Sequence, residues 1–174
     1  MTDVFYATYY GSTKQYAQAL AARLGTEAKE IGEESASLID ASSAEPVIIL
    51  SPIHGPAHPG VKLVKQLGPG VVDKRRIALA TVGMTLDDVV VVQDPAGELL
   101  GDLSDRVERF YLPGRMNYSE LSAKHRNIMK GLITMLKMKP GKSENDQMMV
   151  DTYGKDVDRV DLDRLDAIVE WSRS

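Results

Sequence analysis

The stretch Val4-Phe5-Tyr6-Ala7-Thr8-Tyr9-Tyr10-Gly11-Ser12-Thr13-Lys14-Gln15-Tyr16-Ala17 decides how the rest of the chain is interpreted. It begins as a short apolar run, turns through glycine and hydroxyl residues, and continues with apolar residues at helical spacing. This order predicts a strand, a loop and a helix. The first amides of a helix lack intrahelical partners and the helix dipole is positive there, so the loop suits a phosphate group. Hydroxyls at Thr8, Ser12 and Thr13 would add hydrogen-bond donors.

The motifs of two common nucleotide-binding loops are absent. The loop has no glycine followed by Lys and then Ser or Thr, and no G-x-G-x-x-G occurs anywhere in the chain. Hydroxyls and amides with few nearby cations fit a monophosphate dianion that neutral groups hold. Gly11 permits a positive φ angle and a close approach of the backbone to a ligand. An ordinary N-capped first helix of an α/β domain is the alternative interpretation of these residues.

Length and composition are typical of a globular protein with a sizeable core. The chain has 174 residues, of which 43% are hydrophobic and 26% charged, so we expect a single domain over residues 1–174. No apolar run approaches the roughly 20 residues that span a bilayer. The N-terminus lacks the basic and apolar regions of a signal peptide, so we expect a cytoplasmic protein.

Cysteine content and charge exclude several kinds of function. The chain has no Cys, which rules out disulfides, thiol redox chemistry and cysteine-ligated metals; an organic cofactor would have to carry any electrons. No metal site is predicted. The formal net charge of −4 argues against a nucleic-acid partner.

Apolar runs alternate with helical patterns along the chain, which predicts a parallel sheet covered by helices. After the first strand, we predict strands at 26–31, 47–50, 77–82 and 107–112. Helices are predicted at 61–67 and at 162–171 with Asp161 as N-cap, and shorter helical segments at 35–43 and 98–103. Residues 89–92 fit either a strand or a buried helix.

The motif Thr8-x-x-Gly11-x-Thr13 resembles the FMN-phosphate loop of flavodoxins, which reads Ser/Thr-x-Thr-Gly-x-Thr. The middle Thr of that pattern is Tyr10 here, so one phosphate donor is missing or is supplied by a phenol. The resemblance covers the whole order of strands and helices. It implies an α/β, flavodoxin-like three-layer sandwich around a five-stranded parallel sheet of order 2-1-3-4-5, with FMN beyond the carboxyl ends of strands one and three.

The resemblance further implies that segments 8–13, 51–58 and 81–85 meet at the FMN. The candidate cofactor-binding residues are Thr8, Tyr9, Tyr10, Gly11, Ser12, Thr13, Ser51, Pro52, Ile53, His54, Gly55, His58, Thr81, Gly83, Met84 and Asn117. Many flavodoxins enclose the flavin ring between a Trp and a Tyr, and segments 51–58 and 81–85 contain neither. We therefore expect imidazole, Met84 or backbone against the ring, with more of the ring open to a substrate. A proline-stiffened surface loop is the alternative interpretation of His54 and His58.

A basic, methionine-rich helix is predicted at 122–139, within an insert at about 115–150 that follows the fifth strand. Its apolar residues cover one broad face, and its lysines suit an anionic membrane surface or an anionic partner. Methionine-rich faces also suit a pocket for a flat apolar substrate. An extra helix packed on the domain, with solvated lysines, is the alternative. The pattern of 107–158 resembles the flavodoxin-domain group that includes menaquinone-dependent protoporphyrinogen dehydrogenase, in which the insert is linked to substrate and quinone access.

Residues and resemblance together predict an FMN-binding redox protein. It would transfer electrons to a redox partner protein, or act as an oxidoreductase on a quinone-like or porphyrinogen-like small molecule. The sequence does not separate a carrier from an enzyme, and it leaves the catalytic residues and the oligomeric state open. The alternative is a flavodoxin-fold binding module without flavin chemistry, which docks a partner through the basic helix. Arg115 could pair with a substrate carboxylate or with the electron-rich side of the flavin, or it could form a surface ion pair.

Overall fold

The structure, a computed structural model, describes residues 1–174. The strands are β1 (Asp3–Tyr6), β2 (Ala28–Glu30), β3 (Val47–Pro52), β4 (Ile77–Gly83), β5 (Val107–Pro113), β6 (Arg115–Met116) and β7 (Val157–Asp158). The α-helices are α1 (Ser12–Leu24), α2 (Pro59–Val72), α3 (Asp87–Gln93), α4 (Pro95–Leu100), α5 (Ala123–Met138), α6 (Glu144–Asp151) and α7 (Leu165–Arg173). Short 3₁₀ helices lie at Ser35–Leu38, Gly101–Arg106, Tyr118–Glu120 and Leu162–Arg164.

The main sheet has five strands in the order β2-β1-β3-β4-β5, and every neighbouring pair is parallel. This confirms the predicted fold class and strand order. β3 and β4 lie in the middle of the sheet, and their side chains are almost all buried because helices cover both faces. β2 and β5 form the edges and carry exposed charged residues.

Two hydrophobic cores lie on opposite faces of the sheet. The core on the α2 and α4 side contains Phe5, Ile49 and Leu79, whereas the core on the α1 and α7 side contains Tyr6, Ile48 and Leu50. Successive residues of β3 enter opposite cores because side chains alternate across a strand. Helix α1 ends at Gly25 as predicted, and Asp161 accepts a hydrogen bond from the amide of Asp163 at the start of the C-terminal helical segment.

The region between β4 and β5 differs from the sequence prediction. Residues 89–92 belong to α3, but none of its residues is buried, so the expectation of a buried segment was wrong. The helical segment predicted at 98–103 falls on the end of α4, which spans Pro95–Leu100, and the start of the 3₁₀ helix Gly101–Arg106. The Asp94 side chain caps α4 by accepting a hydrogen bond from the Gly97 amide. Pro95 occupies the first turn, where a backbone N–H would have no partner in the helix, so proline is tolerated there.

The insert after β5 is larger than predicted. It contains α5, the additional helix α6, and a two-stranded antiparallel ribbon of β6 and β7 that returns the chain to the main sheet. Tyr16, on α1, joins the two ends of the insert. Its hydroxyl donates to the carbonyl oxygen of Pro113 (2.6 Å) and accepts from the amide of Asp161 (2.8 Å).

Candidate functional site

The three predicted loops begin at the same edge of the sheet. Tyr6 is in register with Leu50, and Pro52 with Val82, so the carboxyl ends of β1, β3 and β4 lie side by side. In an open parallel sheet this edge, between the strands where the order reverses, is where ligands bind. The structure therefore brings segments 8–13, 51–58 and 81–85 to one edge.

The phosphate loop, residues 8–13, is a tight turn that leads into α1. Thr8 Oγ1 accepts a hydrogen bond from the Gly11 amide at 3.0 Å, and this contact shapes the turn. Gly11 has φ 91°, in the region that favours glycine, and it occupies the N-cap position of α1 without a capping side chain. Because no side chain caps this helix, its first amides remain available.

Several donors in the phosphate loop have no acceptor within the protein. These are the backbone amides of Tyr9, Tyr10, Ser12, Thr13 and Lys14 and the hydroxyls of Ser12 and Thr13. Ser12 and Thr13 are buried as residues, but their unpaired hydroxyl oxygens reach the surface, where a ligand can contact them. Their contact with a phosphate stays a prediction.

The loop after β3 contains a closed turn at residues 54–57. The His54 amide donates to the Ala57 carbonyl oxygen (2.9 Å), and the Ala57 amide donates to that of His54 (3.1 Å). Gly55, inside the turn, has φ 58° and precedes Pro56. Two backbone hydrogen bonds and a proline restrict this turn, in agreement with the stiff loop that the Gly-Pro pair indicates. The adjoining Ile53 amide donates to the carbonyl of Val82.

Three predicted site residues lie in the interior, and their side chains do not face the loop surface. Ser51 is 0% exposed; its hydroxyl accepts from the Gly60 amide and donates to the Pro52 carbonyl. His58 Nδ1 accepts from an amide of α2, so its proton lies on Nε2, which donates to Thr81 Oγ1 at 2.9 Å. The side chains of these three residues therefore tie α2 to the sheet. Contact of Ser51, His58 and Thr81 with a cofactor stays a prediction.

Burial lowers the pKa of His58 to about 4, because a charged imidazole would lose its hydration. The ring is thus neutral at physiological pH, as its hydrogen bond to the α2 amide requires. His58 is the N-cap of α2, a position that a neutral imidazole nitrogen can fill.

The remaining predicted residues lie on the side of the site nearest the insert. The Gly83 carbonyl accepts from the Gly114 amide, and the Met84 carbonyl accepts from Arg159. Asn117 donates from its side chain to Glu120, so its predicted contact with a cofactor stays a prediction. Arg115 pairs with Asp158 at 3.0 Å and also donates to Gln15; of its predicted roles, the structure gives the surface ion pair.

A group of four rings, which we call the ring cluster, joins the phosphate loop, the turn after β3 and the insert. It consists of Tyr9, Tyr10, His54 and His125. The centroid of the His54 ring lies 4.6 Å from Tyr9, 6.2 Å from Tyr10 and 6.1 Å from His125. The Tyr10 hydroxyl is hydrogen-bonded to Nδ1 of His125. Burial, and secondarily the neighbouring His125, lower the pKa of His54.

His125 was not among the predicted site residues. It lies 115 positions from Tyr10 in the chain, on a helix whose pattern predicted only an apolar face and a basic face. No local motif marks such a residue. It is one of three histidines in the chain, and the other two, His54 and His58, have a local signal because they flank a glycine-proline pair.

Comparison with protein families identifies the fold's relatives. The family model described as "Flavodoxin domain" matches residues 4–146, which is most of the chain and includes all three loops and α5. The chain belongs to the flavodoxin domain family. No curated protein matches it.

The flavodoxin domain family usually binds FMN, and the phosphate loop of this chain fits that cofactor. A helix N-terminus with free amides and two unpaired hydroxyls can accept a phosphate dianion without a lysine or arginine. The Tyr10 hydroxyl occupies the motif position where flavodoxins have a Thr, but in this structure it bonds to His125. The Tyr10 amide is still free.

Other features of this flavodoxin domain carry no ligand-binding signal. A cavity of about 530 Å³ lies between α3, α4 and β5. Four charged residues line it, Asp94, Asp105, Glu108 and Arg109, and Arg109 pairs with Asp94 at 2.9 Å. The structure contains no cluster of three or more side chains that could hold a metal ion. None of its helices is long and apolar enough to cross a membrane.

Proposed function

We propose that this chain binds FMN at the carboxyl edge of its sheet and uses it for electron transfer. The observation that carries the proposal is the set of free amides and hydroxyls in the phosphate loop of a flavodoxin domain. FMN, when bound, supplies reversible electron transfer, and the chain has no Cys that could supply thiol redox chemistry in its place.

The residues of the site would divide the work of holding the cofactor. Ser12 and Thr13 donate hydroxyls to the phosphate, and the positive end of the α1 dipole stabilises its charge. The closed turn at residues 54–57 offers backbone and the His54 ring beside the isoalloxazine. That turn is kept in place by hydrogen bonds in the interior, in which Ser51, His58 and Thr81 tie β3 and β4 to the start of α2.

A quinone-like or porphyrinogen-like substrate is the finer part of the proposal, with a redox partner protein as the alternative electron acceptor. No Trp occurs in the loops of the site. The only Trp of the chain, Trp171 of α7, packs against Phe110 of β5. The flavin ring would therefore lack the Trp that covers one of its faces in many flavodoxins, and that face would be open. The methionine-rich insert contacts the phosphate loop through the ring cluster and so lies beside the site, which supports access by a flat apolar molecule.

The deciding experiment is a flavin-binding titration. We expect protein purified without denaturation to show flavin absorbance, and apoprotein to gain thermal stability from added FMN. Replacing Ser12 and Thr13 together by Ala should weaken FMN binding at least tenfold, because hydrogen bonds to a charged group contribute about 1.5–3 kcal/mol each. Riboflavin, which lacks the phosphate, should bind both proteins alike. Ser37→Ala, which removes a hydroxyl outside the loop, is the control. Colourless protein that FMN does not stabilise would refute the proposal.

A binding module without flavin is the second candidate. The observation in its favour is that Tyr10, which already departs from the flavodoxin loop motif, has its hydroxyl engaged by His125. In that case the phosphate loop would keep its shape but serve as a docking surface for the insert. The same titration separates the two candidates, since a module that has lost flavin gains nothing from FMN.

We also propose that α5 contacts an anionic membrane surface. Ile128, Met135 and Met138 are 56%, 61% and 80% exposed, and no acidic residue occurs in residues 121–143. An amphipathic helix with exposed apolar side chains and lysines binds such surfaces in the interfacial plane. Flotation with vesicles of phosphatidylglycerol should recover the protein, and vesicles of phosphatidylcholine should not. Replacing the three apolar residues by Ser should abolish recovery, whereas the same change at exposed Val91 and Val92 of α3 should leave it unchanged.

A further inference from the structure

The insert touches the cofactor-side loops through one side chain with a defined position. Ser122 caps α5 by accepting a hydrogen bond from the His125 amide at 3.3 Å, which places His125 in the first turn of the helix. The His125 ring then meets the Tyr10 hydroxyl and lies edge-on to the rings of Tyr10 and His54. One residue of the insert thus contacts two of the three loops of the site.

Burial of apolar surface does not account for this contact. None of the four rings belongs to either hydrophobic core, and Tyr9 is 46% exposed. The insert itself buries little, since only Ile133 and Leu136 of α5 and no residue of α6 are buried. A polar contact between two partly exposed segments adds little to the stability of the fold. Its consequence is geometric, because it holds the phosphate loop and α5 in one arrangement.

We infer that His125 is a positioning residue of the flavin site, which acts through Tyr10. By holding the Tyr10 side chain, His125 keeps the free amides of Tyr9 and Tyr10 in the geometry that the phosphate needs. Flavin binding and docking of α5 then stabilise each other, because coupling between two sites is reciprocal. The inference rests on the proposed binding of FMN. It assigns to the insert a part in cofactor binding in addition to any part in substrate access.

The test measures flavin affinity and not activity. His125→Ala should weaken FMN binding roughly 5- to 20-fold, within the usual range of coupling between sites. Riboflavin affinity should change less than twofold, since the effect passes through the phosphate loop. His125→Gln, which can still accept from the Tyr10 hydroxyl, should recover most of the FMN affinity. Asn127→Ala, at an exposed position of the same helix, is the matched control and should bind FMN like the wild type.

A double-mutant cycle tests whether the effect passes through Tyr10. Tyr10→Phe removes the same hydrogen bond from the other side, so the double variant with His125→Ala should bind FMN no more weakly than either single variant. Hydrogen exchange of α5 amides should slow when FMN is added to the wild type and should slow less in His125→Ala. Unchanged FMN affinity in His125→Ala, or losses that add in the double variant, would overturn the inference. If the wild type binds no FMN, the proposed function itself fails.

Discussion

The main sheet and the insert are stabilised by different interactions. Val47, Ile48, Ile49 and Leu50 of β3 are all 0% exposed and pack into two cores, whereas α6 has no buried residue. The insert is held by polar ties at its ends and its middle: Tyr16 to Pro113 and Asp161, Arg115 to Asp158, and His125 to Tyr10. The comparison shows that extensive burial positions the sheet and its helices. The insert, in which Leu121, Ile133 and Leu136 are the buried apolar residues, depends more on individual hydrogen bonds.

Core truncation should have the largest effect on stability. Leu50→Ala removes a fully buried side chain from the core on the α1 side and should lower the free energy of unfolding by about 2–5 kcal/mol. Met135→Ala, at an exposed position of α5, should cost less than about 0.5 kcal/mol. Urea denaturation measures both values. Similar losses in the two variants would contradict the contrast between the two regions.

The buried imidazole of His58 makes the sheet sensitive to acid. Its pKa in the folded protein is about 4, below the value of about 6.5 in the unfolded chain, so the unfolded state binds more protons between these values. The stabilisation is complete above pH 6.5 and is lost as the pH falls towards 4, by on the order of 2–3 kcal/mol.

His58→Asn removes this titration and keeps a capping side chain at the start of α2. Its free energy of unfolding should therefore change less than that of the wild type between pH 7 and pH 4.5, although the variant is less stable at pH 7 because Thr81 loses its partner. Denaturation at several pH values provides the measurement. An equally steep fall in the variant would show that other groups cause the acid sensitivity.

Removing the Tyr16 hydroxyl should have a smaller effect that is felt mainly at the insert. Tyr16→Phe keeps the buried ring but leaves the Pro113 carbonyl and the Asp161 amide without their partner, at a cost of about 1–3 kcal/mol. Hydrogen exchange should accelerate at β6 and β7 more than at β3. If Tyr16→Phe leaves hydrogen exchange in β6 and β7 unchanged, other contacts hold the insert, such as the ion pair of Arg115 and Asp158.

The local pattern of apolar residues was sufficient to predict the strands and helices that have one or both faces buried in the cores. Apolar spacing and helix-end residues predict the strands of the sheet, α1 with its end at Gly25, and the C-terminal helical segment with Asp161 as its first cap. The turn of the phosphate loop into α1 was likewise predicted, because it depends on adjacent residues. Local pattern failed at α3, where four consecutive valines look buried but none is.

The roles of the predicted site residues could not be separated by sequence position. Ser51 and His54 lie in the same loop, yet the former points into the interior and the latter joins the ring cluster. Their difference depends on the approach of α2 and α5, which come from distant parts of the chain. His125 was missed for the same reason, since its partner is 115 positions away.

The sequence by itself determined the order of strands and helices, the free donors at the start of α1, and hence the flavodoxin domain, because each depends on neighbours a few residues apart. Only the tertiary structure decided which polar side chains support the sheet and which remain at its edge. It also decided that the insert reaches the phosphate loop through His125. Both depend on contacts between distant segments, and such contacts form only when packing of the two cores brings those segments together.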